Sequence, residues 1–337
     1  MDGVCFFLWL FIGLRDASVG PDTRSYIAVF RHVIGLDWNQ FLFVLKDSVE
    51  PLYLLIMRGI GLLGDNYTVM LLAWAIPPVW CMYYTLSKEI TSSSSVFIVI
   101  LVFFLLGFFV FFTAGLRQAI TIGLAFATYQ LLISPMPKKW YKSRQTFIFL
   151  GIIYIGYNIH NSILIFFLMY FLKPVLQNFK IRWWYILLAI GFYFIGQMIT
   201  MSQLQIITQF FFEDRYYQYG DYYTSSWSAS AFIMQLILFS LCFFVKDKLV
   251  AQDKTNIFLM NMAMIGLFFQ SMSGVLAEMS RVSYYFSIFY LILIPRAIET
   301  ISDSNGKVVQ YCFDALCLIY LFTLTSTNLP EYHFAIL

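Results

Sequence analysis

Arg117 and Gln118 stand between two apolar runs, 96–114 and 119–133, in the segment FFTAGLRQAITIGLAFATY. On translocon scales an arginine at mid-bilayer costs about 2.5–3.5 kcal/mol, so it faces a cavity, a partner or an anionic ligand. Its planar fork of N–H donors matches phosphate or carboxylate oxygens two at a time. His160, in YNIHNSIL, is the histidine inside the apolar region, while His32 and His333 lie in surface segments. Its polar neighbours Asn158, Asn161 and Ser162 mark a wet break between two short helices. There an imidazole could take a proton near neutral pH or simply bond a carbonyl. Glu50 and Asp22 supply carboxylates in the polar stretches, and Arg15 and Arg281 supply further guanidiniums. One histidine is too little for a metal site.

The elements that must hold these groups are hydrophobic. The 337 residues are 61% hydrophobic, 20% aromatic and only 12% charged, which is the composition of an all-α, polytopic membrane protein in one transmembrane domain, 1–337. Apolar runs at about 3–14, 67–86, 96–114, 116–133, 146–160, 161–172, 183–200, 230–245, 256–276, 282–295 and 308–325 read as eleven crossings. Four of these, 3–14, 146–160, 161–172 and 282–295, are short for a straight helix and require thinning of the bilayer or a break near His160. The run 51–63 carries Arg58 and reads as a re-entrant or surface helix. The first residues lack a basic n-region and a small-residue cleavage site, so no removable signal peptide is expected. Cys5, Cys81, Cys242, Cys312 and Cys317 fall in apolar segments and read as packing residues. A net charge of +3, scattered over several loops, gives no footprint for nucleic acid.

Positive charge near membrane ends marks the cytoplasmic side. This places Lys88, Lys138, Lys139, Lys142, Arg144, Lys173, Lys180, Arg182, Lys246, Lys248, Lys254, Arg296 and Lys307 inside, and Arg15, Arg24, Arg31, Lys46, Arg58, Arg117, Arg215 and Arg281 outside. The inner set is mostly lysine and the outer set mostly arginine. An outward cavity lined by arginine suits an anionic ligand; equally, the arginines could pair with Asp16, Asp22, Glu50, Glu213, Asp214 and Glu278.

Outer polar material falls at 15–66, 201–229 and the turn 277–281. In the first block Gly-Pro-Asp-Thr predicts a turn and then an amphipathic helix over 23–34 along the outer leaflet, with Asp22 or Thr23 as its N-cap. In the second, Arg215 leads into Tyr216, Tyr217, Tyr219, Tyr222 and Tyr223. These aromatics read either as interfacial anchors or as a platform for sugar rings. Asp314, alone in the last run, reads as an inter-helix bond and is left out of the site.

Six segments, GLRDASVGPDTRSYIAVF, EPLY, GLRQAITIGLAFATY, IHNSIL, RVSYYF and NLPEYHF, run in order along the chain. In these the sequence resembles the EpsG-like members of the Wzy class of polysaccharide polymerases. The resemblance implies a multi-pass protein of the bacterial inner (plasma) membrane that joins lipid-linked oligosaccharide units into a capsule, exopolysaccharide or O-antigen. It implies no cofactor, no metal, and a flippase and a chain-length regulator as partners. Arg15, Asp22, Tyr26, Arg117, Gln118, His160, Arg281 and Tyr284 match the family's recurring positions. The first apolar run is shorter than the family's usual start, and Arg215 carries no role from the family.

The expected substrate is a glycan on polyprenyl diphosphate, held in membrane lipid. Arg117 and Arg281, supported by Arg15, are expected to meet the departing diphosphate, where donors aimed at developing charge favour the transition state. His160 is the first candidate for the base and Glu50 or Asp22 the second. Asp22, Tyr26, Gln118, Arg215 and Tyr284 are expected to bind substrate. The rival readings are a glycan ligase with the same chemistry, a transporter of lipid-linked glycans, and a membrane acyltransferase. Inverted repeats, which a transporter would show, are not evident, and no inner polar cluster offers an acyl-donor route.

Overall fold

The computed structural model describes residues 1–198, 229–274, 278–305, 307–328 and 332–335; these are helical nearly throughout, with no strand beyond one isolated bridge. The chain forms two compact units, Met1–Val175 with Ile294–Leu337, and Leu176–Leu293.

The first unit is organised on α5 (Tyr67–Glu89), whose first turn is capped by the Asn66 side chain accepting the Thr68 and Val69 N–H groups. α8 (Leu116–Ala127) runs beside it in the same direction: Leu116 shares a cluster with Trp74, and the Thr85 hydroxyl donates to the Phe126 carbonyl. Gly123 permits the contact, because a Cβ there would lie 3.0 Å from Pro78 Cα. The return between them is α6 (Ser93–Leu105) and α7 (Phe108–Ala114), bent by 58° at Gly107, whose φ of +73° suits a residue without Cβ. α1 (Asp2–Gly13) packs on α5 through Gly13, and the Trp9 indole donates to the Leu72 carbonyl at 2.9 Å.

The polar block 15–66 folds into three helices, α2 (Thr23–Gly35), α3 (Trp38–Lys46) and α4 (Pro51–Gly61). As the spacing predicts, Tyr26, Val29, Phe30 and Val33 of α2 share one face, Val29 only partly buried, and Arg24 and Arg31 are exposed. That face does not lie on lipid. It packs with Phe41, Tyr53, Met57, Trp74, Leu116 and Ile159 into one apolar cluster. Asp22 occupies the N-cap position, but its side chain makes no cap bond. Arg58 is absorbed structurally: its guanidinium donates to the last carbonyls of α2, Val33 and Ile34, at 2.7 and 2.8 Å, and lies over the Trp38 and Phe41 rings.

The first unit continues through α9 (Tyr129–Ile133), α10 (Arg144–Tyr157) and α11 (Leu164–Leu176). The second unit holds α12 (Trp184–Met198), α13 (Ala229–Phe244), α14 (Lys246–Gln252), α15 (Thr255–Ser271) and α16 (Glu278–Ser287). α17 (Tyr290–Asn305) begins in the second unit and ends in the first, followed by α18 (Val308–Asn328). In the second unit α15 and α16 meet along small and polar residues: Ser283 Oγ donates to the Gly266 carbonyl at 2.8 Å, and Gln235 Nε2 reaches Ser283 Oγ at 3.2 Å. Such groups hold helices together where apolar side chains gain nothing over lipid.

Outward-facing apolar side chains, among them Phe147 and Ile155 on α10, Ile195 and Met198 on α12, and Leu316 and Phe322 on α18, give the protein the surface of a helical membrane protein. By length and composition α5 and Thr255–Gly274 can each cross alone, and three bent pairs bring the number to five. The other apolar helices span 10–17 residues, so length and composition alone support two to five spans among the described residues, and the bends fall within or at the end of runs that the sequence read as crossings. Two smaller expectations change. Cys312 is exposed rather than packed, and Asp314 Oδ1 is buried without a hydrogen-bond partner instead of bonding a neighbouring helix.

Candidate active site

Helix ends build the site. Pro51 opens α4, where its missing N–H is no loss, but the N–H groups of Leu52 and Tyr53 still need acceptors. Both donate to the Asn158 carbonyl, at 3.0 and 3.3 Å, and Asn158 is the residue on which α10 ends. Thus the start of α4 and the break after α10 satisfy each other. The break itself falls where the sequence put it: His160 is extended, and a 3₁₀ turn, Asn161–Ile163, leads into α11.

This backbone contact brings Glu50, just before α4, against His160. Glu50 Oε1 meets His160 Nδ1 at 2.7 Å and accepts the Asn161 N–H at 3.4 Å, while Oε2 is paired with Arg117 Nη1. Arg117 is the second residue of α8, set at its start by the break at Gly115. Its guanidinium lies over the Tyr53 ring at 5.0 Å and the Tyr26 ring at 5.9 Å, and its Nε is buried without a partner. Tyr53 in turn rests on Trp74, ring centroids 5.4 Å apart. The side chains of Glu50, His160 and Arg117 are 11%, 24% and 34% exposed, so the carboxylate is sheltered while the imidazole and guanidinium remain reachable.

Burial alone pushes the Glu50 carboxyl up, but the His160 hydrogen bond, the Arg117 charge and the Asn161 N–H together outweigh it and hold the group below its ordinary value of 4.5. Glu50 is therefore ionised at neutral pH. With Nδ1 donating to that carboxylate, the imidazole has its Nε2 lone pair left to accept a proton.

The sequence named Glu50, Arg117, His160 and Tyr26, and the structure brings these four together. It also placed Glu50 among the acids that could hold an arginine, and Arg117 is the arginine it holds. Tyr53 and Trp74 were missed as parts of the site, although Tyr53 stands in the EPLY segment. Gln118 follows Arg117 and is buried. Arg15 is buried completely: Nη1 donates to the Ile12 carbonyl, Nε to Thr23 Oγ1 at 3.4 Å, and Nη2 has no partner. The tail crosses it, since the Asp16 N–H donates to the His333 carbonyl and the Ala335 N–H to the Leu14 carbonyl, both at 2.8 Å. Asp16, read as a partner for an arginine, instead accepts the Ser18 N–H and hydroxyl. Arg281 and Tyr284 stand on α16 of the second unit, where Arg281 makes an exposed pair with Glu278 at 3.4 Å. Arg215 and the tyrosines after it lie outside the described residues.

At the far end of α5, fifteen residues and about 22 Å beyond Trp74, a second polar group appears that the sequence reading had excluded. Arg296 Nη2 meets Glu89 at 2.6 Å, Gln130 donates to the same carboxylate, and Ser92 and Ser95 bond Glu299. These groups are paired with one another.

No curated protein and no solved structure matches the chain. The EpsG family model matches residues 3–335, nearly its whole length, and with the helical membrane fold this settles the family: the chain belongs to EpsG, a Wzy-like polysaccharide polymerase family.

Proposed function

We propose that this protein joins polyprenyl-diphosphate-linked oligosaccharide repeat units at the outer face of the bacterial inner membrane. The observation that carries the reading is Glu50 holding His160 with one oxygen and Arg117 with the other. A base, its orienting carboxylate and an anion-binding fork thereby share one partly open place. The acceptor is a sugar hydroxyl on one lipid-linked unit, and the donor is the glycan on another. As the acceptor oxygen bonds to the donor's anomeric carbon, the bond from that carbon to the phosphate oxygen breaks. His160 Nε2 takes the hydroxyl proton, and the electron pair leaves with the diphosphate.

Glu50 is a positioning residue here. Its depressed proton affinity makes it a poor base, but it fixes the imidazole tautomer and stabilises the imidazolium that forms. Arg117 meets the charge that grows on the diphosphate, a role in which a guanidinium can stand where other enzymes place a divalent ion. Tyr26 and Tyr53 hold the guanidinium plane, and Arg15, bonded to the Ile12 carbonyl and Thr23, is a proposed support. Asp22, four residues before Tyr26, and Gln118, next to Arg117, are further proposed substrate contacts in the first unit; Arg281, Tyr284 and Arg215 are proposed as substrate-contacting residues by side-chain type alone and not by position.

The test is the glycan size distribution in cells carrying the intact gene, a deletion, or Arg117→Lys at confirmed membrane levels. Single repeat units in the deletion, and no long chains with the lysine variant, support polymerisation through a fork-specific contact. Long chains in the deletion overturn it in favour of a transporter or a modifying enzyme. A polymer that forms but stays on its lipid carrier in the deletion points to the ligase.

A further inference from the structure

The second unit holds a cavity of about 190 Å³ lined by Lys180, Lys246, Asp247 and apolar side chains that include Phe179, Ile257 and Met260. Its walls are the segment after α11, the first turns of α14 and the start of α15. Two buried asparagines of α15 fix them. Asn256 Nδ2 donates to the Leu249 carbonyl of α14 at 2.7 Å, and Asn261 Nδ2 donates to the carbonyls of Leu176 and Phe179 at 2.7 and 2.8 Å. Ile257 and Met260 face the cavity between these two tethers, three residues apart on one helix side. The space is thus built by protein contacts and needs no ligand to shape it.

Its surroundings have the character of a bilayer edge. α13 turns by 65° into the short α14, Phe244 just before that bend is 86% exposed, and Trp183 is 64% exposed. Aromatic rings beside lysines are what the boundary between acyl chains and headgroups selects. Lys246 Nζ lies 4.0 Å from the Phe243 ring centroid, and among the described residues neither Lys180 nor Lys246 joins an ion pair. Basic cavities between helices at this level recognise lipid headgroups.

We propose that the cavity seats the headgroup of phosphatidylglycerol, with Lys180 and Lys246 on its phosphate and Asp247 accepting hydrogen bonds from its glycerol hydroxyls. Two ammonium groups and one carboxylate leave a net charge of +1, which complements a headgroup of charge −1. Phosphatidylethanolamine, being neutral overall, leaves one lysine uncompensated. Phosphatidic acid has no hydroxyl for Asp247 and sets the carboxylate against a bare phosphate.

The full-length chain, purified in detergent and mixed with defined lipids, would be read by native mass spectrometry for the lipid retained. Wild type is expected to keep phosphatidylglycerol over phosphatidylethanolamine and phosphatidylcholine, with retention falling about fivefold for each lysine removed in Lys180→Gln and Lys246→Gln. Asp247→Asn should narrow the preference over phosphatidic acid. The double variant Lys180→Arg with Lys246→Arg keeps charge and should keep the lipid, which separates loss of binding from loss of folding. Equal retention of phosphatidylglycerol and phosphatidylethanolamine by wild type overturns the proposal, as does an undiminished preference in the double glutamine variant with wild-type melting.

Discussion

Replacing Glu50 by glutamine preserves its shape and removes one thing, the capacity to accept on both sides at once. In the native protein Oε1 serves His160 and Oε2 serves Arg117. A glutamine has a single carbonyl oxygen. If that oxygen faces Arg117, the amide N–H₂ faces His160 Nδ1, which must then accept, and the ring proton moves to Nε2. The lone pair that would deprotonate the acceptor sugar is gone. If the amide turns the other way, its N–H₂ meets the guanidinium and the fork is displaced. Either way the base or the clamp fails, and turnover should fall by about 10²–10⁴, the span of general-base contributions and of a wrong imidazole tautomer; that is about 3–5 kcal/mol of transition-state stabilisation. Stability should suffer less. Two charge-assisted bonds of about 1.5–3 kcal/mol each give way to one such bond plus a neutral bond near 1 kcal/mol in the first orientation, or to one neutral bond in the second, with part of the deficit recovered by water at this partly open site. The assay is chain elongation by the purified protein from a lipid-linked repeat unit, alongside melting in detergent. A Glu50→Gln variant that melts a few degrees low yet elongates at the wild-type rate refutes the assignment of His160 and Glu50 as base and positioning residue.

Glu50 also sets a pH dependence of stability. Its folded-state value lies below the ordinary 4.5, so its contribution is complete above 4.5 and disappears as pH falls through the lower folded value. The melting difference between wild type and Glu50→Gln should therefore be constant near neutrality and shrink on acidification; a gap that widens in acid contradicts the ion pairs. Gly123→Ala should cost about 1–3 kcal/mol, because its Cβ would lie 3.0 Å from Pro78 Cα, whereas Gly151→Ala, with nothing within 4 Å, should leave melting unchanged or slightly raised. Arg58→Ala removes a cap on α2 and two ring contacts and should lower stability by about 1.5–3 kcal/mol while leaving elongation per folded molecule intact; loss of elongation at wild-type melting would instead make Arg58 part of the site. Arg296→Ala strands Glu89 in a sheltered place and should cost about 3–5 kcal/mol, most of it regained when Glu89→Gln accompanies Arg296→Met. Failure of the second change to rescue would show that Arg296 acts through something other than Glu89.

Local pattern carried much of the fold. The stripe Tyr26, Val29, Phe30 and Val33 predicted a helix with one apolar face, and Asn158, His160 and Asn161 predicted a break, because periodicity and polar interruptions are properties of neighbours in sequence. What the stripe rests on is not such a property. α2 is amphipathic whether its apolar face meets lipid or Tyr53 and Trp74, and the composition of α2 alone does not choose between them. Straight and bent spans are likewise alike in composition. An apolar run that bends, as at Gly107 or between α16 and α17, has the same hydropathy as one that runs straight.

The candidate site was legible as a cast of residues and not as an arrangement. Glu50 and His160 lie 110 residues apart, and Glu50 and Arg117 lie 67 apart. What joins them is the arithmetic of unsatisfied helix ends: α4 opens with a proline and two N–H groups in need of a carbonyl, and the break after α10 leaves one to give. That pairing fixes Glu50 beside His160 before any side chain is considered. It also explains why the break is worth its cost in a membrane, where every interrupted helix leaves polar groups that must find partners within the protein. A continuous helix through 146–172 would satisfy its own backbone and would leave the Asn158 carbonyl unable to receive α4. The imidazole would then stand on a helix face with no carboxylate to orient it. The interruption that lowers the apparent quality of the span is thus the feature that assembles the chemistry. By the same reasoning, a substitution restoring helix through Asn158 and His160 should abolish elongation even where it raises helical content.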